Sequence, residues 1–324
     1  MCKGGGINIF KVIPLSIETP FTVGNVNVYV VIGESVTLID TGLPGKKSLE
    51  KLRYLLKQEG LTFKELDEIV VTHMHTDHAG GVKDIQEEID IPIFVHEGAK
   101  HILFGGIDEF DRTRNFLNYF VKECGADPES HQSKHRYHNM NWQHVKYVSN
   151  EDHVFVGGRK FSVLFVPGHS QTDMILWEPE TGLTFAGDHL LKDISVNAFI
   201  EPPIPFEQER PKPLIQYRES LMKTRALPLT TIYPGHGRPF SDHVSIIDRR
   251  LNEHDYRCDQ IRKVLRTSDK TVYQICIEVF PRLKGKLVFL GLSQVQGHLD
   301  LMESRNEVFV DKSSEGINVY RLYE

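Results

Sequence analysis

Residues 72–81 read Thr72-His73-Met74-His75-Thr76-Asp77-His78-Ala79-Gly80-Gly81. The apolar run Ile69-Val70-Val71 leads straight into this string, so it begins where a strand ends. His73, His75, Asp77 and His78 place four potential metal ligands within six positions. In extended chain residues 73 and 75 share a side, and a turn then brings 77 and 78 to a neighbouring point. One cation cannot take all four and keep an open position; two can, if further ligands arrive. Three candidates do: His169 in Pro167-Gly168-His169, Asp188 in Ala186-Gly187-Asp188, and His236 in Pro234-Gly235-His236. Each closes a strand-like run just after a glycine, where the backbone can bend sharply and present a side chain.

Working outward, β-branched runs over 7–13, 26–33 and 35–42 read as strands. Leu49, Leu52, Leu55 and Leu56 have helical spacing within 46–59. Further strands are expected at 68–72, 91–95, 153–156, 160–166, 173–177, 183–186 and 231–233, with helices at 80–88 and 211–226. This alternation points to layered α/β structure. Residues 98–147 are helix-prone and aromatic-rich, and read as an insertion that lids the site, with Phe104, Phe116 or Tyr119 near an apolar substrate. From 244 the pattern changes to helices at 246–266, 271–280 and 287–303, followed by strands at 307–311 and 317–321. The expected organisation is therefore a catalytic domain over 1–243 and a small winged-helix-like domain over 244–324.

At 324 residues the chain can bury a core without metal or disulfide staples, so a metal site serves function rather than folding. Hydrophobic residues are 40% and charged residues 25%, which excludes collagen, disordered tails and disulfide-rich mini-proteins. The net charge of −6 excludes a globally basic nucleic-acid binder. The four cysteines form no Cys-x-x-Cys pair, and read as free thiols of a reducing compartment. With no apolar run long enough to span a membrane and no leader pattern after Met1, the expected location is the cytoplasm.

The string at 72–81, Asp40 in Ile39-Asp40-Thr41-Gly42, and His169, Asp188 and His236 together resemble the metallo-β-lactamase superfamily over about residues 7–240. The resemblance implies an αββα sandwich with metals at one edge. It implies that His73, His75 and His169 hold one cation and Asp77, His78 and His236 a second. Asp188 would bridge them, and Asp40 would orient a ligand imidazole. Nitrogen and oxygen ligands suit two divalent ions, zinc first, with iron or manganese as alternatives. Such a pair can share a water and lower its pKa towards ~7, giving a bridging hydroxide that Asp77 would also orient. Within the superfamily the chain resembles bacterial metallo-hydrolases and the β-lactamase-like protein 2 type. Asp188 stands where dizinc β-lactamases typically carry Cys, His75 where flavodiiron proteins carry Glu. Ser170-Gln171-Thr172-Asp173 departs from the glyoxalase II pattern.

Three functions follow as expectations. The first is hydrolysis of a small ester, thioester or lactone. The second is a single-strand RNase or phosphodiesterase of the same fold, and the third a regulator that binds nucleic acid through 244–324. Residues 246–324 hold 13 Lys/Arg against 12 Asp/Glu, a poor balance for nucleic acid, although Gln294 and Gln296 on the third helix could read bases. His189, Asp193 and Asn197 are candidate pocket residues. His131, His135 and His138 would share a helix face, most simply a solvated one. A homodimer is the default assembly.

Overall fold

The computed structural model describes residues 10–128, 137–205, 207–285 and 287–323. The first sheet contains β1 (Lys11–Ile17), β2 (Val26–Ile32), β3 (Val36–Ile39), β4 (Glu68–Val70), β5 (Ile93–His96) and β6 (Val145–Val148), side by side in that order. β1, β2 and β3 pair antiparallel, whereas β3 to β6 pair parallel. Between them run α1 (Lys46–Gln58), α2 (Thr76–Ala79), α3 (Val82–Gln86) and α4 (Lys100–Glu123). The second sheet has the order β11-β10-β9-β8-β7, from β7 (His153–Val156), β8 (Arg159–Phe165), β9 (Met174–Trp177), β10 (Leu183–Gly187) and β11 (Thr231–Pro234). α5 (Pro213–Arg225) precedes β11.

Strand periodicity explains the layers. In β2, Val28 and Val30 face the helices, packing in one cluster with Leu52 and Leu56 of α1 and Val82 and Ile85 of α3. The alternate residues Tyr29 and Val31 pack instead with Phe161, Val163 and Phe185 of the second sheet. A strand buried on both faces has to be apolar almost throughout, as Val26–Ile32 is. The outer face of the second sheet contributes Ile175 and Ala186 to a third cluster with Leu214, Tyr217 and Leu221 of α5. The result is the αββα sandwich.

Two sequence expectations shift. Of the strand expected over 7–13, residues 7–9 lie outside the described residues, and the described strand runs on to Ile17, because Ile13, Leu15 and Ile17 alternate inwards in register with β2. Its Pro14 costs no ladder bond on the outer side of an edge strand. Residues 98–147 are not helical throughout. α4 ends at Glu123, and Val145–Val148 form the edge strand β6, whose outward Lys146 masks its strand character. His131 and His135 lie outside the described residues; His138 is exposed and not in a helix.

The C-terminal part runs α6 (His243–Leu265), β12 (Lys270–Thr271), α7 (Val272–Val279), α8 (Leu287–Ser304), β13 (Val308–Lys312) and β14 (Asn318–Leu322). The three strands form a small antiparallel sheet of order β12-β14-β13. Thr271 and Gln274 cap α7 reciprocally. This part does not close a core of its own. Ile246, Ile247, Ile261, Leu292, Val295 and Leu299 join the same apolar cluster as Tyr217 and Ala186. α8 is buried along most of its length, and Gln296 is spent on hydrogen bonds to Asp300 and the Tyr320 hydroxyl. Among the described residues, no helix is long and apolar enough to cross a membrane.

Burial here has a pH consequence. His254 is held neutral, its pKa pushed down to about 3 by burial and then by His298 and Arg218. An unfolded chain protonates this imidazole below about 6.5. Between pH 6.5 and 3 the unfolded state therefore binds more protons, and stability falls as pH drops through that window. His254→Gln removes this contribution, so between pH 7 and 5 the variant should lose about 2 kcal/mol less than the parent. Paired urea titrations at the two pH values measure it, and identical losses would refute it.

Candidate metal centre

The site forms where the ends of both sheets meet. After β4 the chain reaches His75, itself extended at φ −66° and ψ 150°, then enters the one-turn helix α2. That change of backbone turns Asp77 and His78 away from the direction of His73 and His75. The loop is stapled to the second sheet: Met174 N donates to the Thr72 carbonyl at 3.0 Å and Met74 N to Thr172 Oγ1 at 3.0 Å. His169 arrives from the loop between β8 and β9. There Gly168 has φ +148°, and a Cβ at that position would lie 2.4 Å from Tyr217 Cα of α5. Only glycine lets this turn sit so close to the helix. Asp188 follows β10 and His236 follows β11, two parallel neighbours, so both reach the same edge.

The structure brings all seven sequence candidates together. His73, His75 and His169 offer nitrogens to one point, and Asp77, His78 and His236 converge on another; His73, His78 and Asp188 form a third, overlapping group. His73 Nε2 is 3.1 Å from His75 Nδ1, which is 2.9 Å from His169 Nε2. Three ring nitrogens at that spacing fit the corners of a coordination shell with bonds of about 2.0–2.1 Å. Asp188 Oδ2 lies 3.4 Å from both His169 Nε2 and His236 Nε2, and Oδ1 lies 3.4 Å from His78 Nε2. Asp77 Oδ2 is 3.4 Å from His236 Nε2.

The opposite edges of the rings are anchored. His78 Nδ1 donates to Asp40 Oδ2 at 2.8 Å, His169 Nδ1 to the Asn197 carbonyl at 2.8 Å, and His236 Nδ1 to the Asn25 carbonyl at 2.7 Å. Each such bond fixes the tautomer that turns a lone pair on Nε2 inwards. Asp40 also accepts from the Thr72 backbone at 2.8 Å and from the Thr72 hydroxyl. It does so from a left-handed backbone at φ 61°, strained for a residue with a Cβ and held by these bonds.

The donor set fits cations. Among the described residues, the buried atoms His78 Nε2, His236 Nε2 and Asp188 Oδ1 have no hydrogen-bond partner. Uncompensated polar atoms in a dry site are costly, and coordination would satisfy all three. Burial, then His169, pushes the His75 pKa down to about 3, and burial with neighbouring imidazoles lowers His73 well below the usual range. Both rings are therefore unprotonated at neutral pH. Burial opposes ionisation of Asp188, but His78 and His236 hold its carboxyl well below the ordinary range. His73 and His75 are thus ready as neutral imidazoles and Asp188 as a carboxylate. At His78 and His236 burial is outweighed by the neighbouring carboxylates, Asp188 first, which raise His78 well above its usual range and His236 to about 9, so these two rings release a proton on coordination.

Among the described residues, the cysteines offer no competing nucleophile. Burial raises the Cys124 thiol well above its usual range and pushes Cys258 up to about 11 and Cys276 to about 12. At neutral pH they are thiols, not thiolates.

Other residues do not fall where the sequence suggests. His189 turns away from the centre, with Nε2 2.8 Å from Thr224 Oγ1. Asp193 and the Asn197 side chain line a separate cavity beside the C-terminal helices, although the Asn197 carbonyl holds His169. Phe104 is 79% exposed and Tyr119 55%, and Phe116 packs into the apolar cluster beneath α4. The aromatic ring beside the site is Phe199, 5.3 Å from the His75 ring and 5.4 Å from the His169 ring. Asp173 is a further residue that the sequence did not single out. Its Oδ2 accepts from Ser170 N at 3.0 Å, and its Oδ1 lies 3.7 Å from His73 Nδ1.

Known proteins resemble this chain in sequence and in fold. The family model of the metallo-beta-lactamase superfamily matches residues 21–236. The probable metallo-hydrolase YqjP of Bacillus subtilis (strain 168) is 29% identical, over 95% of this chain and 97% of its own. The acyl-coenzyme A thioesterase MBLAC2 of Homo sapiens is 28% identical over 50% of this chain and 57% of its own. A solved metallo-beta-lactamase family protein from Thermus thermophilus superposes with a TM-score of 0.81 at 22% identity, covering 96% of this chain and 98% of that one. The chain belongs to the metallo-beta-lactamase superfamily, and it is one of that superfamily's hydrolases.

Proposed function

We propose that this hydrolase works with two divalent cations, zinc first, on a small ester, thioester or lactone. The observation that carries the reading is the position of Asp188 Oδ2, 3.4 Å from a histidine nitrogen of each ligand group. A single carboxylate oxygen shared in this way suits two adjacent cations better than one. His73, His75 and His169 would hold one, and Asp77, His78 and His236 the other. Bound there, such a pair supplies Lewis acidity that activates water at neutral pH and polarises a carbonyl.

The protein's own groups then act by position. Burial opposes ionisation of Asp77, but His236, 3.4 Å away, and then the nearby His78 keep its carboxyl below the usual range. As a carboxylate at neutral pH, it can accept a hydrogen bond from the attacking water and fix its direction. Phe199, edge-on to His75 and His169, supplies an apolar wall that suits an acyl group. Asp40, Asn25 and Asn197 keep three imidazoles in place while charge changes at the centre.

We read the helix–strand–helix–helix–strand–strand order after residue 243 as a winged helix that serves as a structural cap. The helix that would enter a nucleic-acid groove is α8, which is largely buried against the rest of the chain. This favours a small-molecule substrate over RNA or DNA. The buried free thiols Cys124, Cys258 and Cys276 suit a reducing cytoplasm.

The test is a substrate panel on metal-loaded protein: p-nitrophenyl acetate, a short acyl-coenzyme A, a homoserine lactone and a single-stranded RNA oligonucleotide. Turnover of an acyl substrate with intact RNA is expected. RNA cleavage that weakens steeply with salt, with no acyl turnover, would replace this reading by the phosphodiesterase one.

A further inference from the structure

After β10 the chain passes the metal centre through residues 195–200, a stretch with neither helix nor strand. Val196, Ala198 and Ile200 are buried in the apolar cluster that also holds Leu292 and Val295 of α8. The residues between them serve the centre. The Asn197 carbonyl accepts from His169 Nδ1 at 2.8 Å, and the Phe199 ring lies 5.3 Å from that of His75. Buried backbone groups need partners, and an irregular stretch has no ladder to supply them. Among the described residues, no backbone–backbone hydrogen bond reaches 195–200.

α8 supplies what is missing. Ile200 N donates to Ser293 Oγ at 2.8 Å, and Ser293 Oγ donates in turn to the Ala198 carbonyl at 3.2 Å. Asn197 Nδ2 donates to the Leu290 carbonyl at 3.3 Å. Ser293 is completely buried. A serine inside a helix commonly turns its hydroxyl back on the helix's own carbonyls, and alanine is the better helix former. This hydroxyl instead spends a donor and an acceptor on a segment distant in sequence. The carbonyl that holds His169 belongs to the rigid peptide unit joining Asn197 to Ala198, next to the carbonyl that Ser293 grips. A shift of one carries the other with it.

We infer that Ser293 is a positioning residue of the metal centre: it clamps residues 197–200 onto α8 and, through the Asn197 carbonyl, sets the ring of His169. The C-terminal part is then a component of the centre as well as a cap. The inference rests on the reading that His169 is a ligand to one of two cations. A His169 ring released from that carbonyl loses the bond that keeps its Nε2 lone pair turned inwards.

The experiment follows removal of zinc from the full, zinc-loaded chain by a chromophoric chelator. Ser293→Ala should hold one equivalent at least ~10-fold more weakly than the parent, the lower end for loss of a group that orients a ligand, and the other as the parent does. The His169 Nδ1 proton, observed by NMR, should exchange with water ~10-fold faster in that variant, the effect of about one lost hydrogen bond. Gln296→Leu is the matched control. Gln296 is also buried, one turn further along α8, but it is bonded to Asp300 and Tyr320 instead. It should keep the parent's zinc affinity and proton exchange. If Ser293→Ala does not fold, Asn197→Ala decides: it keeps the carbonyl, drops the tie to Leu290 and should weaken the same single equivalent. The inference is overturned if the variant that decides holds both equivalents as the parent does, or if Gln296→Leu loosens zinc as much. A parent that takes up no zinc overturns the two-cation reading and this inference with it.

Discussion

Asp188→Ala is expected to reduce the bound metal from two equivalents to at most one and to lower kcat/KM at least ~10³-fold. Interactions with a metal-stabilised transition state amount to several kcal/mol, and each ~1.4 kcal/mol is tenfold in rate. The reason lies in how many groups this one carboxylate serves. Its Oδ2 is 3.4 Å from both His169 and His236, and its Oδ1 is 3.4 Å from His78. Removing it takes the shared oxygen from both ligand groups and deprives His169 and His236 of the carboxylate they share. The fold should survive, since Asp188 contributes to none of the three apolar clusters. Elemental analysis and a thermal melt separate the two effects. A folded variant that retains two metals per chain would show that Asp188 is not shared.

Gly235→Ala should damage the centre without altering any candidate ligand. A Cβ at 235 would lie 2.3 Å from Asp188 Oδ1 and 2.6 Å from His78 Cε1. The backbone cannot step aside. Gly235 N donates to the Gly187 carbonyl at 2.6 Å, and its own carbonyl accepts from Asn27 N at 2.7 Å. The methyl group must therefore displace Asp188 or His78, and misplacing a reacting group by about 1 Å costs on the order of 10² in rate. Gly237→Ala is the matched control. Gly237 has φ +85° and open space where a Cβ would be, so alanine there meets backbone strain of about 1 kcal/mol and no ligand. Metal titrations should show weakened binding at 235 and near-parental binding at 237. Equal behaviour of the two would contradict the packing argument.

The clustering of the candidate ligands was legible because they sit in local strings: His73-Met74-His75-Thr76-Asp77-His78 after a strand, and three ligand-type residues each following a glycine. The sandwich was legible because strands buried on both faces, such as Val26–Ile32, have no choice but to be apolar. What stayed hidden acts through groups that every residue has. Asn25 and Asn197 orient His236 and His169 through backbone carbonyls, which leave no side-chain signature. Phe199 was overlooked because the aromatic density of 98–147 drew attention to Phe104, Phe116 and Tyr119. Only the path of the chain after β10 brings Phe199 beside His75. Edge strand β6 was missed because just one of its residues, Val148, is buried, so the alternation that marks a strand is faint. The helices after 243 were read correctly as helices. That they share a core with the second sheet depends on long-range packing that no local pattern encodes.

Convergence of seven side chains, drawn from four loops, on a pair of cations is tested most directly by anomalous diffraction. Crystals grown with zinc would be measured on both sides of the absorption edge. Two peaks about 3.5–4 Å apart are expected, one among His73, His75 and His169 and the other among Asp77, His78 and His236, with Asp188 between them. A single peak, or density for the metal anywhere outside this cluster at full zinc occupancy, would contradict the account.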